Sequence, residues 1–290
     1  MKGWAASELQ FADLGDVRRN KRLVRLVEDL AAQPNASVPQ ASGDLAATQA
    51  AYDFWSSPHI KAEAIRQAHQ SSTIERVKQH SIVIAIQDTT ELNFSHHPSK
   101  KGTVEENPPP GVKPVSWLLL TTLPVICFED VVQVLRWYSY RWLIERYHYV
   151  LKSGCRLEQL QLETGERIQR ALATYTIVAW RLLWITYLAR YHPQTPADTI
   201  LATHEWQALY CTIHKTPQPA VSPPNLNTCV RWIAQLGGFL GRKGDGEPGV
   251  KTIWQGLRRL HDIAQIWLLV SPTSTVAVKS SFVKKDATNA

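Results

Sequence analysis

WYSYRWLIERYHYVLKSGC (137–155) is the stretch on which the reading of this chain turns. Tyr138, Arg141, Glu145 and Lys152 stand at offsets of three, seven and fourteen residues. At about 100° per residue, a helix gathers the four into roughly a 60° wedge of one face. Val132, Leu135, Leu143 and Val150 form a neighbouring apolar stripe of the kind that packs on a sheet. The pattern predicts one long helix from about Phe128 to Lys152, with Glu129 and Asp130 at its start and Ser153-Gly154 at its end. A carboxylate flanked by an Arg, a Lys and a Tyr hydroxyl suits phosphate handling, because Glu can ligate a metal while the cations hold the backbone. The same spacing also suits a solvated helix face with incidental ion pairs, and spacing alone does not choose.

Upstream, residues 12–32 read as a helix with Asp13 or Asp16 as N-cap and Val17, Leu23, Val27 and Leu30 as its apolar stripe. Arg18, Arg22 and Arg25 fall at i, i+4 and i+7, one face of that helix, with Arg19 and Lys21 beside them. Helices over about 45–55 and 59–79 follow, broken at Pro58. The pattern then changes. Ile82 to Ile86 is a β-branched run that predicts a buried strand, and Leu92-Asn93-Phe94 alternates behind it as a second. Trp117 to Thr122 is a third short apolar strand. Beyond the long helix come a helix over 166–190, a Pro-rich irregular segment 191–228 with one short helix near Glu205, and a helical unit over 228–270 interrupted by the glycines Gly237 to Gly249. The last twenty residues lack periodicity and read as disordered.

Composition narrows the class. The 290 residues are 44% apolar, ordinary for a globular chain of two or three domains. No run approaches the ~18 to 20 uninterrupted apolar residues that a membrane span requires, and no basic-then-apolar leader opens the chain, so a cytoplasmic, nucleoid-associated protein without membrane partners is expected. The four cysteines lie far apart without metal spacing and read as reduced thiols. A net charge of +7 and a pI near 9.2 suit a nucleic-acid partner.

Tyr-x2-Arg-x3-Glu-x6-Lys resembles the signature of the insertion-sequence-four family of DDE transposases, and Tyr138, Arg141, Glu145 and Lys152 match its fixed positions. WLLLTTLPV (117–125) and YRWLIERYHYVLKSGC (140–155) resemble the Tn-five-like branch in particular. AIQDTTELNF (85–94) is similar to that branch's first catalytic strand, with Asp88 as its first metal carboxylate. GDVRRNKRL (15–23) resembles its end-binding helix, and IAQLGGFLGRKGDGEPGVKTIWQGL (233–257) its C-terminal dimerisation region. The resemblance implies an α/β fold: a truncated RNase H-like core (73–192) between an N-terminal helical DNA-binding domain (1–72) and a C-terminal helical dimerisation domain (193–270), with 271–290 as a tail. It implies Mg²⁺ or Mn²⁺ held by Asp88 and Glu145, phosphates gripped by Tyr138, Arg141 and Lys152, double-stranded DNA of the transposon's terminal inverted repeats as partner, and dimers.

One part of that pattern is missing. The family holds two divalent ions between three carboxylates, the second on a mid-core strand, whereas only 56 residues separate Asp88 from Glu145. Asp130 lies fifteen positions before Glu145, roughly 22 Å along a single helix, and cannot converge on the same metal pair. Glu105 and Glu106 precede three prolines and have no strand-like context. The junction falls near Gly102 to Val104, and we read it as an internal deletion. Three outcomes fit: a transposase-family protein that no longer cuts, a DNA-binding and dimerising inhibitor of an intact relative, or a remnant that does not fold stably.

Smaller signals carry two readings each. Trp117 resembles a residue that stacks near the hairpin end, and equally a core Trp at a strand start. Arg18, Arg19, Lys21, Arg22 and Arg25 suit phosphate or base contacts, and equally a solvated basic face. His96 and His97 read as a surface loop, and Gly237, Gly238 and Gly249 as a turn between packed helices rather than a phosphate loop.

Overall fold

The structure, a computed structural model, describes residues 3–86, 103–104, 107, 109–113, 116–117 and 121–270. These divide into two compact units, one from Met1–Ser81 with Tyr147–Ala290, the other from Ile82–Arg146.

The first unit opens with five helices: α1 (Trp4–Glu8), α2 (Val17–Ala32), α3 (Val38–Ser42), α4 (Leu45–Ser56) and α5 (Ala62–Val77). Of the two candidate caps, Asp16 takes the role, its side chain accepting from the Arg18 amide at 2.7 Å. The α2 stripe is Leu23, Leu26, Val27 and Leu30, all buried, whereas Val17 is 67% exposed and does not belong to it. Val17 is the first helical residue, half a turn before the chain meets its neighbours.

In the second unit the expected strands do not form as drawn. Ile82 to Ile86 takes no strand conformation, and Ile82 is 65% exposed. A β-branched run satisfies its backbone only beside partner strands. The strand pairing among the described residues is a two-residue antiparallel ladder, β1 (Thr103–Val104) with β2 (Ser116–Trp117). Leu92 to Phe94 and Asp88 lie outside the described residues, as do 118–120 of the expected third strand. An RNase H-like sheet is therefore not seen among the described residues, which are mostly helical.

The long helix expected over 128–152 is three pieces: α6 (Phe128–Ser139), α7 (Trp142–Tyr149) and a π-helical turn (Val150–Gly154). Asp130 caps α6, accepting from the amides of Ile126 and Cys127 at 2.9 and 3.1 Å. Across Tyr140 and Arg141 the backbone tightens to i→i−3 bonds, Arg141 N to Tyr138 O at 2.9 Å and Ile144 N to Arg141 O at 3.1 Å. At the far end it widens, with Cys155 N reaching Val150 O at 2.8 Å. Neither the uniform 60° wedge nor the ~22 Å spacing of Asp130 from Glu145 carries over to a helix so broken.

The first unit resumes with α8 (Gly165–Tyr191), α9 (Thr203–His214), α10 (Leu226–Leu236) and α11 (Val250–Val270). By length and composition α8 could cross a membrane, but 61% of its apolar window is buried in this unit. It is the core helix. Tyr175, Ile177, Val178 and Leu182 pack with residues of α2, α4 and α5 in one cluster, and Ile185 and Ala189 with α9, α10 and α11 in a second. α10 and α11 cross closely at two glycines, for a Cβ at Gly256 would lie 1.7 Å from the Ile233 carbonyl oxygen and one at Gly237 1.8 Å from that of Thr252. Cys155, Cys211 and Cys229 are buried free thiols and Cys127 an exposed one.

A single buried carboxylate ties α1 to α5. Glu8 is 5% exposed, lies 2.7 Å from His69 Nδ1, and accepts from Arg76 Nη1 at 2.6 Å and Nη2 at 3.1 Å. Ser72 donates to its backbone oxygen at 2.6 Å, and the Arg76 guanidinium lies 4.6 Å from the Trp180 ring on α8. Burial pushes the Glu8 carboxyl up, but the hydrogen bonds from His69 and Arg76 outweigh it and hold the group below its usual 4.5. Removing one member of a buried pair costs roughly 3–5 kcal/mol. Because Arg76 is 31% exposed, Glu8→Ala should lose about 3 kcal/mol, the low end, in urea denaturation near neutral pH. A carboxyl lowered on folding binds fewer protons in the folded chain. Its contribution is complete above 4.5 and is lost as pH falls through the folded value. The acid-side loss of stability should therefore be shallower in Glu8→Ala than in wild type, and equal acid slopes would contradict the assignment.

Candidate nucleic-acid interface

Helix α2 separates charge from apolar surface. Leu23, Leu26, Val27 and Leu30 face the core, and Arg18, Lys21, Arg22 and Arg25 are exposed on the other side. Their availability differs. Arg18 pairs with Asp16 at 3.0 Å, the hydrogen bond from Arg18 holding the Asp16 carboxyl below its ordinary value. Arg25 pairs with Asp29 at 2.9 Å, one turn on, while burial raises the Asp29 carboxyl. Lys21 and Arg22 make no ion pair among the described residues, though the charge of Arg22 is felt at Asp29, and they are the cations most available to a phosphate. Arg19 is half-buried and turned inward, its Nη1 donating to the Leu14 carbonyl at 3.1 Å. Its geometry holds the approach to α2 rather than presenting a cation outward.

In the other unit the fold brings together three of the four motif residues. Arg141 sits in the break between α6 and α7 and donates from Nη1 to Glu145 Oε1 at 2.7 Å. Its guanidinium lies 5.8 Å from the Tyr138 ring and 4.9 Å from the Trp142 ring. Desolvation works against the guanidinium's charge, and the bond to Glu145 with the help of Tyr138 overcomes it, so Arg141 titrates above its usual value. Trp142 was not singled out in the sequence. The i, i+1 spacing hides the contact, which exists because the helix breaks at Arg141.

Lys152 belongs to the first unit, on the π-helical turn, and approaches Glu158 at 3.7 Å with both side chains well exposed. Trp117 is in β2, and its side chain lies outside what is described, as Asp88 does entirely.

Asp88 lies outside the described residues, so a two-metal centre can be sought only on the Glu145 side. Among the described residues no three His, Cys, Asp or Glu side chains gather as a ligand group. Glu145, the carboxylate expected as a ligand, spends one oxygen on Arg141. Two ions need several convergent oxygens that are not already neutralised by a guanidinium. What the arrangement can do is hold anions: a free cationic face on α2, and an arginine braced by a carboxylate and aromatic rings.

Comparison with known families returns three matches that follow one another along the chain. Residues 1–60 match Transposase DNA-binding, residues 45–181 match Transposase DDE domain, and residues 177–266 match Transposase Tn5 dimerisation domain. The α2 face lies in the first, the Tyr138 to Lys152 motif in the second, and the crossing of α10 with α11 in the third. Divalent metal dependence goes with the DDE domain in intact relatives. With the DNA-binding, catalytic and dimerisation segments present in order, the chain is a member of the Tn5-like DDE transposase family.

Proposed function

We propose that this transposase-family protein binds the terminal inverted repeats of its element and pairs with a second copy, but does not cut DNA. The observation that carries the reading is the engagement of Glu145, whose Oε1 accepts from Arg141 at 2.7 Å. The short interval from Asp88 supports it, since 56 residues leave no room for the family's second Asp on a mid-core strand. Tyr138, Arg141 and Lys152 remain as phosphate-holding groups, and Asp88 with Glu145 as what is left of the metal set.

DNA recognition is assigned to α2, with Lys21 and Arg22 as its free cations and Arg18 and Arg25 beside them. Helices α1 to α5 share their core with α8, so the full chain is the material to test. Each phosphate contact removed should reduce the slope of log K against log salt by about 0.9. Lys21→Gln/Arg22→Gln should therefore flatten the slope by about 2 on terminal-repeat DNA, measured by fluorescence anisotropy across salt concentrations. An unaltered slope would remove α2 from the interface.

Cleavage is expected to be absent. With Mg²⁺ or Mn²⁺, the purified chain should neither nick nor hairpin DNA carrying the element's ends on sequencing gels. Metal-dependent cleavage that disappears in Glu145→Ala would overturn the central part of this reading.

Self-association is assigned to the end of α11. The apolar face of α10 and α11 is largely used at home: Ile233 and Ile253 are fully buried and Leu260 is 2% exposed within the chain's own core. The reason is the glycine crossing, which lets α10 and α11 cover each other. Ile266, Leu269 and Val270, at i, i+3 and i+4, are 61%, 81% and 67% exposed and form the surface left for a second copy. Light scattering at ~10⁻⁵ M, where a modest interface already associates, should give a dimer for wild type and a monomer for Ile266→Glu/Leu269→Glu. Mixed dimers with an intact relative would follow and lower its transposition on co-expression. A monomeric wild-type chain would refute the assignment.

A further inference from the structure

Within the first unit, the π-helical turn, the segment after it and the start of α11 border a groove of about 520 Å³. Lys152, Ser153, Arg156, Glu158 and Lys251 line it, so three cations face one carboxylate. The floor is fixed. Val150, Leu151, Gly154 and Cys155 are buried, and Gly154 lies so close under the Trp254 ring that a Cβ there would come within 2.8 Å of it. Lys152 and Ser153 stand on the outer side of that anchored turn, both exposed. Arg156 is exposed too and holds a left-handed backbone, φ 51°, uncommon for a residue with a Cβ. Its Nη1 makes one long bond, 3.4 Å, to the Asn35 carbonyl, and Asn35 also lines the groove.

The electrostatics want an anion. Lys251 is exposed in the first turn of α11, where the helix's own dipole already presents positive charge. A lysine there, near two more cations, is unfavourable unless something negative is brought in. Glu158 answers only in part, since its contact with Lys152 is long and both side chains are well exposed. One turn of α11 beyond Lys251, the buried Trp254 ring lies 5.6 Å from that of Tyr149 and helps fix the groove floor.

We propose that this groove is a second DNA contact, a sequence-independent phosphodiester site in which Arg156 and Lys251 join Lys152, with Ser153 as a neutral donor. It rests on the DNA-binding reading above and adds two residues that neither the motif nor the α2 face contains. Asn35 lies in the segment matching the DNA-binding family, Lys152 and Arg156 in the DDE segment, and Lys251 in the dimerisation segment. The groove is thus a place where a phosphate would bridge all three.

The test uses the full chain and a random-sequence DNA duplex, with affinity measured over a range of salt. Arg156→Gln/Lys251→Gln should weaken binding and reduce the salt slope by about 2, as two lost phosphate contacts require. Glu158→Gln should tighten binding roughly two- to tenfold, because it removes the groove's carboxylate and releases Lys152, an improvement that damage to the fold would not produce. Thermal denaturation of each variant checks that the fold is kept. Wild-type slope in the double variant, or no tightening in Glu158→Gln, overturns the groove. If Lys21→Gln/Arg22→Gln still weakens terminal-repeat binding in that case, the α2 reading stands without it. A wild-type chain that binds neither duplex overturns both.

Discussion

Two arginines on α8 have to be met inside the protein. Arg170 and Arg181 are 8% and 6% exposed, and burying a guanidinium is costly unless its donors find acceptors. Arg170 donates to the backbone oxygens of Ile60 and Trp55 at 2.6 and 3.0 Å and to Glu166 at 2.9 Å. Arg181 donates to the Ile200 oxygen at 2.9 Å, stacks on Trp4 at 4.7 Å, and is lowered by burial to about 10. These bonds fix where the α4–α5 connection and the turn before α9 must lie along α8. Trp55, fully buried, then donates to Thr174 at 3.2 Å one turn beyond Arg170. Segments far apart in sequence thereby close on one helix, and both hydrophobic clusters assemble along its length.

The segment between Ser81 and Tyr147 has no such organiser. No residue of α6 or α7 is buried, and Val132, in the stripe that should pack on a sheet, is 39% exposed. Among the described residues this apolar face meets no sheet. At the break, Arg141 gathers Glu145, Tyr138 and Trp142 around its guanidinium. The carboxylate that a catalytic core would turn toward metal is drawn instead to the nearest guanidinium.

Most of the helices could be read from the sequence because their signals are local. Asp16, Asp44, Thr164 and Asn225 cap helices by accepting from the next turn, and Leu23, Val27 and Leu30 mark the α2 core face by spacing alone. The α2 cations were visible for the same reason, while their partners Asp16 and Asp29 and the inward turn of Arg19 were not. The Ile82 to Ile86 run takes no strand conformation despite its β-branched composition, because strand formation is a property of neighbours that a single run does not carry. What the spacing of α10 and α11 does not show is the close approach permitted by Gly237 and Gly256, by which the two helices cover each other. The groove near Arg156 and Lys251 had no sequence signal, since its cations are nearly a hundred residues apart.

Central to all of this is that one helical unit closes its core around α8, while Ile82 to Ile86 take no strand conformation. Native-state hydrogen exchange read residue by residue tests that most directly. Amides of α2, α5, α8 and α11 should form one slowly exchanging set that opens together, and those of Ile82 to Ile86 should exchange rapidly. Protection of Ile82 to Ile86 equal to that of α8 would mean a buried, paired strand and an intact sheet, and would contradict the account.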